Sequence, residues 1–332
     1  MNIEKILWQG VESILLETNV YEAIIVPTVG ANLVKLYNKK KKIDILRTPT
    51  LEEMETFLSR PQIFGVPLLF PPNRIEDGKY SFAGKNYEFP ITIPAQNNYH
   101  HGIIKSQAFT VTRTRFSPDA VEVELSFFSN RINNAIFANF SHDFVCKIRI
   151  ILTDNELTHI VSITNAGTEP MPVGVGFHTP IRLPFSANTN KADYKLRLSA
   201  GKRWELSDRS LPTEKLLDLS AEESLLRTEG MTVTGKPIEI ALTDEAITVN
   251  AKPYHGAIMT DTKNNISVYY EVDKEFKHWT LWNNGGEVDW VCPEPQTWAI
   301  NAPNLNLPRD VTGLQGISAG KTWSGTTRFY VK

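Results

Sequence analysis

Residues 144–164 read FVCKIRIILTDNELTHIVSIT. Two runs of alternating apolar and polar side chains, 144–152 and 156–164, flank the turn-forming residues Thr153, Asp154 and Asn155. Because successive side chains of a strand point to opposite faces, this alternation is typical of strands with one buried face. The stretch therefore predicts an antiparallel hairpin and an all-β fold class.

Shorter runs of the same kind recur along the chain, and each ends at turn residues. They lie at 13–16, 23–26, 32–36, 43–46, 80–82, 109–113, 121–127, 238–242, 247–250, 257–260, 266–272, 278–283 and 325–331. Capping boxes that begin at Thr50 and Ser220 predict two short helices, which end near Leu58 and Arg227. Without any repeat or linker, the pattern predicts a single all-β domain over residues 1–332, built of large facing sheets.

Composition argues against several classes of function. The chain has 332 residues, a net charge of −2 and 41% hydrophobic residues, which is ordinary for a globular protein. Its near-neutral charge provides no basic surface for nucleic acid, and the basic run 39–42 reads as a solvated hairpin turn. No stretch is apolar enough to span a membrane, and residues 1–16 do not resemble a signal peptide. Cys146 and Cys292 show no metal-site spacing, so we expect two reduced thiols in a cytoplasmic protein.

A second informative stretch, residues 290–305, reads WVCPEPQTWAINAPNL. Pro293 and Pro295 enclose Glu294, and the residue before a proline is restricted to extended conformations. The prolines exclude a helix and argue against a central strand, so we expect a rigid segment or a strand end. Such a segment suits a carboxylate that acts as a base, although a stiff loop whose glutamate caps backbone amides is an equal alternative.

Aromatic and amide side chains surround this glutamate in the sequence. The tryptophans are Trp279, Trp282, Trp290 and Trp298, and the amides are Gln296, Asn301 and Asn304. Indole faces and amides suit a sugar, because the C–H groups of the sugar can pack on an indole ring while its hydroxyls form hydrogen bonds with the amides. A pocket wall and a buried core both account for the tryptophans.

Three further polar positions stand out. The proline-rich residues 65–75 read as an irregular buried crossing that delivers Asn73 and Arg74. In the pair His100-His101, adjacent side chains diverge, so we expect one histidine to face a pocket and not a shared metal site. His178 is a lone ionisable residue among glycines, prolines and apolar residues, and it fits a buried core histidine or a catalytic acid.

Taken together, these clusters resemble the aldose 1-epimerase (galactose mutarotase) family. The residues that carry the resemblance are Gly30-Ala31, Asn73-Arg74-Ile75, Gly84-Lys85-Asn86-Tyr87, His101-Gly102, His178, Pro293-Glu294-Pro295-Gln296-Thr297 and Asn301-Ala302-Pro303-Asn304. The resemblance implies a single-domain β-supersandwich of large antiparallel sheets with a few short helices. It also implies interconversion of the α and β anomers of an aldohexose without a cofactor or metal.

Roles follow from the same resemblance. Glu294 is expected to be the general base on the C1 hydroxyl, and His178 the general acid on the ring oxygen. Asn73, Arg74, His101 and Trp282 are expected to bind the sugar. The family's sugar-binding aspartate has its best counterpart in Glu239, a longer side chain, and Thr179-Pro180-Ile181 replace the aromatic residues that often follow the acid histidine. Both departures leave the identity of the sugar open.

Two alternative functions remain open at this stage, as does the choice between monomer and homodimer. A mutarotase of hexose 6-phosphates would use Arg74, Arg182 or Arg203 for the phosphate. A non-catalytic carbohydrate-binding sandwich would keep the pocket but would not require both Glu294 and His178. A glycoside hydrolase is less favoured, because it needs a second carboxylate at a defined separation.

Overall fold

The structure is a computed structural model of the chain and describes residues 1–131 and 138–332. The chain begins with a five-stranded antiparallel sheet whose strands are neighbours in sequence order. They are β1 (Asn2–Trp8), β2 (Val11–Glu17), β3 (Tyr21–Val26), β4 (Asn32–Asn38) and β5 (Ile43–Asp44). The predicted strands at 13–16, 23–26 and 32–36 are thus confirmed. The strand predicted at 43–46 forms only at Ile43–Asp44, and residues 39–42 form the predicted turn.

A helix and five short strands follow. They are α1 (Met54–Ser59), β6 (Leu68–Leu69), β7 (Arg74–Glu76), β8 (Lys79–Phe82), β9 (Lys85–Glu88) and β10 (Asn98–His100). The helix predicted from Thr50 begins at Met54. One half of the predicted capping box forms, in which the Glu53 carboxylate accepts a bond from the Thr50 N–H, but no side chain caps the helix. The proline-rich crossing is confirmed as largely irregular and buried, with β6 inside it and β7 beginning at its end.

Most of the remaining elements belong to two larger sheets, and four of the remaining described strands form two separate two-stranded sheets. They are β11 (Thr110–Phe116), β12 (Ala120–Phe128), β13 (Phe144–Thr153), β14 (Leu157–Asn165), β15 (Met171–Val173), β16 (Gly176–Phe177), β17 (Ile181–Arg182), β18 (Tyr194–Leu198), β19 (Ala200–Leu206), β20 (Pro212–Leu217), β21 (Glu239–Asp244), β22 (Ile247–Val249), β23 (Lys252–Tyr254), β24 (Gly256–Asp261), β25 (Ile266–Val272), β26 (His278–Trp282), β27 (Trp290–Gln296), α2 (Arg309–Thr312), β28 (Gln315–Ile317) and β29 (Thr322–Val331). The predicted hairpin at 144–164 is β13–β14, in register from Phe144 opposite Asn165 to Leu152 opposite Leu157.

The two large sheets face each other across one apolar core. One has the strand order β11-β12-β13-β14-β29-β25-β24-β18, and the other has the order β20-β19-β21-β26-β27-β16-β6 with β17 also paired to β27. Ring contacts cross the interface: His159 of β14 meets Phe177 of β16 at 5.0 Å, and Tyr270 of β25 meets Trp279 of β26 at 6.4 Å. The fold is mostly β and built of large facing antiparallel sheets, as the fold-class prediction stated.

One expectation about the backbone is wrong. Residues 293–295 lie inside β27, a central strand, and not at a strand end. Pro293 and Pro295 are two positions apart, so both missing N–H groups point to the same side of the strand. Pairing with β26 runs unbroken from Cys292 to Gln296, whereas β16 and β17 pair with β27 only at its two ends. Between those ends, the edge of β27 that faces away from β26 pairs with no described strand. The prolines are tolerated because their missing N–H groups lie on this unpaired edge.

The second predicted capping box forms as expected. Ser220 accepts a bond from the Glu223 N–H at 3.2 Å, and the Glu223 carboxylate accepts one from the Ser220 N–H at 2.8 Å. The segment it opens, Glu223–Arg227, is a 3₁₀ helix. Among the described residues, no helix has the length and hydropathy that crossing a membrane requires.

Candidate active site

The seven residues that the family resemblance assigned to the site all line one cleft. The cleft has a volume of about 590 Å³, including the part open to solvent, which is within the usual range for small-molecule sites. Its lining residues are Arg60, Gln62, Ile63, Asn73, Arg74, His100, His101, His178, Glu239, Thr280, Trp282 and Glu294. The structure therefore brings together side chains from widely separated parts of the chain.

Glu294 and His178 form the floor of the cleft. Glu294 lies on β27 opposite Thr280, and its side chain is only 3% exposed. His178 directly follows β16, and its Nε2 lies 3.3 Å from Glu294 Oε1. The close approach of these strands requires glycine at 176, because a Cβ there would lie 2.9 Å from Pro72 and 3.0 Å from Gln296.

Burial controls the charge of this pair. Loss of water lowers the pKa of His178 to about 3 and raises the pKa of Glu294 well above its usual value. The positive charge of Arg74 opposes the shift at Glu294 with a smaller effect, while Glu239 adds to it. Both shifts favour a pair that holds a single proton over a wide pH range.

Arg74 is fixed at the wall by three partners. Its guanidinium donates to Glu239 Oε1 at 2.8 Å, to Gln96 Oε1 at 3.1 Å and to Asn73 Oδ1 at 3.3 Å. Asn73 in turn donates to Thr280 Oγ1 at 3.0 Å. The planar fork of an arginine suits such a fixed arrangement, which leaves its outer face for a ligand.

Both histidines of the His100-His101 pair line the cleft, whereas only one was expected to face a pocket. The His101 backbone has a positive φ of 66°, which turns its ring toward the site, where it meets His178 edge to face at 5.3 Å. Burial lowers the pKa of both side chains well below the usual histidine value. Both rings are therefore neutral in the folded protein at neutral pH.

The tryptophans divide between wall and core. Trp282 lines the cleft and meets His178 edge to face at 5.4 Å, and Trp290 packs behind it at 5.1 Å. Trp279 and Trp298 are buried in the main core. For these two, the core alternative is correct.

The nearby amides do not reach the cleft. Gln296 donates to Thr280 Oγ1 at 3.0 Å, Asn301 accepts the Glu76 N–H at 3.0 Å, and Asn304 donates to the Lys79 carbonyl at 2.8 Å. These side chains form hydrogen bonds within the protein and do not line the cleft, so the expectation that they meet the sugar is wrong.

One wall of the cleft was missed in the sequence. The segment after α1 contributes Arg60, Gln62 and Ile63, and it is held from below by the fully buried Asn32, which donates to the Phe64 carbonyl at 3.0 Å. Arg60 is exposed, and no described carboxylate pairs with it. Only the proline after Arg60, which stops the helix, marked this segment in the sequence.

A possible group of metal ligands lies at the floor. Suitable atoms of His178, Cys292 and Glu294 all lie within 4.8 Å of one another, and all three residues are buried. Cys292 lies beneath the cleft and does not line it.

Known proteins are similar to this chain in sequence or in fold. The sequence profile of the aldose 1-epimerase family matches residues 12–330. A galactose mutarotase-like protein from Clostridium acetobutylicum is 36% identical with a TM-score of 0.97, and the match covers 99% of this chain and 98% of that one. A putative aldose 1-epimerase from Escherichia coli K12 has the same fold at 15% identity, with a TM-score of 0.73 over 96% of this chain and 98% of that one.

A curated relative gives a partial match. The Escherichia coli protein YihR, which is uncharacterized, is 25% identical over 206 residues, or 61% of this chain and 59% of that protein's length. The family profile, in contrast, spans nearly the whole chain, including every residue of the cleft. The chain belongs to the aldose 1-epimerase family.

Proposed function

We propose that this protein is an aldose 1-epimerase that interconverts the α and β anomers of a free aldose. The observation that carries the proposal is the buried pair of Glu294 and His178, 3.3 Å apart at the floor of a cleft of sugar-binding size. Anomer exchange needs one group that takes a proton from the C1 hydroxyl and one that gives a proton to the ring oxygen. This pair holds the two groups side by side.

In the proposed reaction, Glu294 takes the C1 hydroxyl proton while His178 gives a proton to the ring oxygen. The C1–O5 bond breaks, the C1 carbonyl forms, and rotation about C1–C2 presents the other face to the O5 hydroxyl. On ring closure, His178 takes the proton of the O5 hydroxyl and Glu294 gives its proton to the C1 oxygen. The pair holds one proton before and after opening, on His178 first and on Glu294 afterwards. Burial favours neutral side chains, so it favours the state present after opening.

The wall residues hold the sugar in this proposal. The Arg74 guanidinium only donates hydrogen bonds and stays charged, so it binds hydroxyl oxygens and takes no part in proton transfer. Asn73, the neutral His101 and Glu239 complete a polar wall, and the Trp282 indole provides an apolar face for ring C–H groups. We also propose a cytoplasmic location, because both cysteines are free thiols.

Exchange spectroscopy by NMR on a panel of free aldoses tests the function. With the best substrate, Glu294→Gln is expected to lower the exchange rate by about 10²–10⁴-fold, because Gln cannot accept the C1 proton. Sugar affinity should change much less, since Gln keeps a hydrogen-bonding oxygen.

The matched control is Glu122→Gln, which removes another buried carboxylate, paired with Arg149 at 2.9 Å in the opposite sheet. It should lose stability but keep its exchange rate per folded molecule. If Glu294→Gln melts normally and exchanges anomers within a few-fold of the original rate, Glu294 is not the base. A non-catalytic sugar-binding protein would show no enzymatic exchange even before substitution.

A second candidate, a mutarotase of anionic aldoses, is favoured by one observation. Arg60 lines the cleft without a described carboxylate partner, whereas Arg74 is neutralised by Glu239. Arg182 and Arg203, the other phosphate candidates in the sequence, pair with Asp44 at 3.9 Å and Glu223 at 2.9 Å and do not line this cleft.

Arg60→Gln separates the two candidates. If the substrate carries a phosphate or carboxylate, kcat/KM for that substrate should fall about 10-fold or more, because a charge-assisted hydrogen bond contributes about 1.5–3 kcal/mol. Rates for neutral aldoses should not change. Equal effects on glucose, glucose 6-phosphate and glucuronate would count against an anion-binding role.

A further inference from the structure

The register of β27 places a thiol beside the proposed catalytic pair. Cys292 and Glu294 are two residues apart on one strand, so their side chains project from the same face. They lie opposite Trp282 and Thr280 of β26, and His178 reaches the same face from the end of β16. His178 comes from a distant part of the sequence, which is why the sequence shows no metal-site spacing.

Their atoms are close enough to share one ion. Ligand atoms of His178, Cys292 and Glu294 all lie within 4.8 Å of one another. Around a tetrahedral zinc ion, sulfur and nitrogen ligands lie roughly 3.5 Å apart, since Zn–S is about 2.3 Å and Zn–N about 2.0–2.1 Å. Side-chain movements of about 1 Å would close the site.

The ligand atoms also lack competing partners. Glu294 is 2% exposed, and its Oε2 has no hydrogen-bond partner among the described residues. The Cys292 thiol is fully buried. Among the described residues, His178 Nδ1 has no hydrogen-bond partner, and His178 Nε2 faces only Glu294. A buried oxygen without a partner is costly, and a cation would satisfy it.

We propose that the floor of the cleft binds one thiophilic divalent metal ion, such as Zn²⁺, through His178, Cys292 and Glu294, with the fourth position open to the cleft. A thiolate, an imidazole and a carboxylate form a donor set that Zn²⁺ accepts. Binding releases the thiol proton and the carboxyl proton to water, and three protein–metal bonds form. Since the ion occupies both members of the catalytic pair, it acts as an inhibitor; this last step rests on the proposed function.

The expected affinity is moderate. His178 Nδ1 has no described partner to orient the ring, and missing support of this kind typically costs 10–100-fold in metal affinity. The cationic Arg74 also lines the cleft and disfavours a second cation. We therefore expect reversible binding that EDTA removes, with unchanged or higher activity in the chelated protein.

The test uses Co²⁺ as a spectroscopic probe on the full, untagged chain. We expect one bound Co²⁺ per chain with a thiolate-to-cobalt charge-transfer band, which Zn²⁺ displaces. Cys292→Ala should abolish the band, and the matched control Cys146→Ala should retain it, because Cys146 lies buried in β13 of the other sheet. Cys292→Ser, which keeps the side-chain size, serves if the alanine variant melts early.

Two further readouts complete the test. Zn²⁺ should raise the melting temperature of the original protein and of Cys146→Ala, but not of the Cys292 variants. Inhibition of anomer exchange by Zn²⁺ should weaken at least 10-fold in Cys292→Ala, whose activity without metal should stay within a few-fold of normal. A band that persists without Cys292, or no binding by the original protein, would overturn the proposal. Spectra and melting decide this even if the chain has no epimerase activity.

Discussion

At the scale of single residues, burial decides which protons the cleft holds. His178 and Glu294 are both shifted toward their neutral forms by loss of water, and the charge of Arg74 is a smaller influence. The pair therefore keeps one proton from about pH 3 to well above the usual range of a carboxylic acid. An enzyme with this pair should show no change of rate near the usual histidine pKa of about 6.5.

Arg74→Lys tests the proposal that Arg74 binds the sugar and takes no part in proton transfer. Lysine keeps the charge, but one ammonium cannot hold Glu239, Gln96 and Asn73 in a planar fork. We expect KM to rise about 10-fold or more, from lost hydrogen bonds to a charged group. The pH profile of kcat should not move, because burial dominates the pKa shifts of the pair.

Measurement of kcat and KM between about pH 5 and 8 checks this outcome, within the range where the usual histidine pKa lies. Glu239→Gln is the matched control, because it removes the partner of Arg74 and leaves the guanidinium in place. A new acidic or basic limb in Arg74→Lys would indicate that Arg74 participates in proton transfer.

At the scale of elements, one wall of the cleft depends on a small separate core. Helix α1 buries Met54 and Phe57 in a cluster with residues of β3 and β4, apart from the main core. The chain then turns to present Arg60, Gln62 and Ile63 to the cleft. Asn32, at the start of β4, ties this turn to the sheet through Val66 N at 2.9 Å and the Phe64 carbonyl at 3.0 Å.

Asn32→Ala should loosen this wall without affecting the catalytic floor. It leaves the buried Phe64 carbonyl without the amide donor, so stability should fall by about 1–3 kcal/mol. We expect a higher KM and a smaller change in kcat. Asn38→Ala, at the far end of β4, is the control: Asn38 is also buried, but its amide accepts the Lys41 N–H at 2.9 Å, away from the cleft. Equal KM values for the two variants would show that the wall does not contribute to binding.

At the scale of the whole molecule, buried histidines make the fold sensitive to acid. Burial lowers the pKa of His142 and His159 to about 4 and of His178 and His278 to about 3. His100 and His101 are shifted in the same direction. The unfolded chain binds protons below about pH 6.5, whereas the folded chain does not, so stability is present above that pH and is lost as the pH falls.

Urea unfolding at about pH 8, 6.5 and 5.5 measures this loss, because the unfolded histidine pKa of about 6.5 lies inside that range. Each such histidine should cost up to about 1.4 kcal/mol per pH unit below 6.5. His159→Phe should reduce the slope by one histidine, because His159 is 1% exposed and neither ring nitrogen has a described partner. Stability that is constant over this range would contradict the argument. A single cooperative transition would also support the one-domain prediction, which stays a prediction.

The sequence by itself determined the local features. Alternation predicted most strands, since side-chain direction in a strand depends only on position along the chain. Two prolines predicted the extended backbone of Glu294. The order of motifs led to the family and to the residues of the cleft. The exposed strand β1, with its weak pattern, was missed.

Only the tertiary structure decided which distant side chains meet. Cys292 lies beside His178 because β16 and β27 pair, and Asn73 reaches Thr280 across 207 positions of sequence. The segment that carries Arg60 lines the cleft because Asn32 anchors it. The prolines fit a central strand because β16 and β17 leave a gap beside β27. Strand pairing is a relation between remote segments, and no local pattern of residues encodes the choice of partner or the charge state that burial imposes.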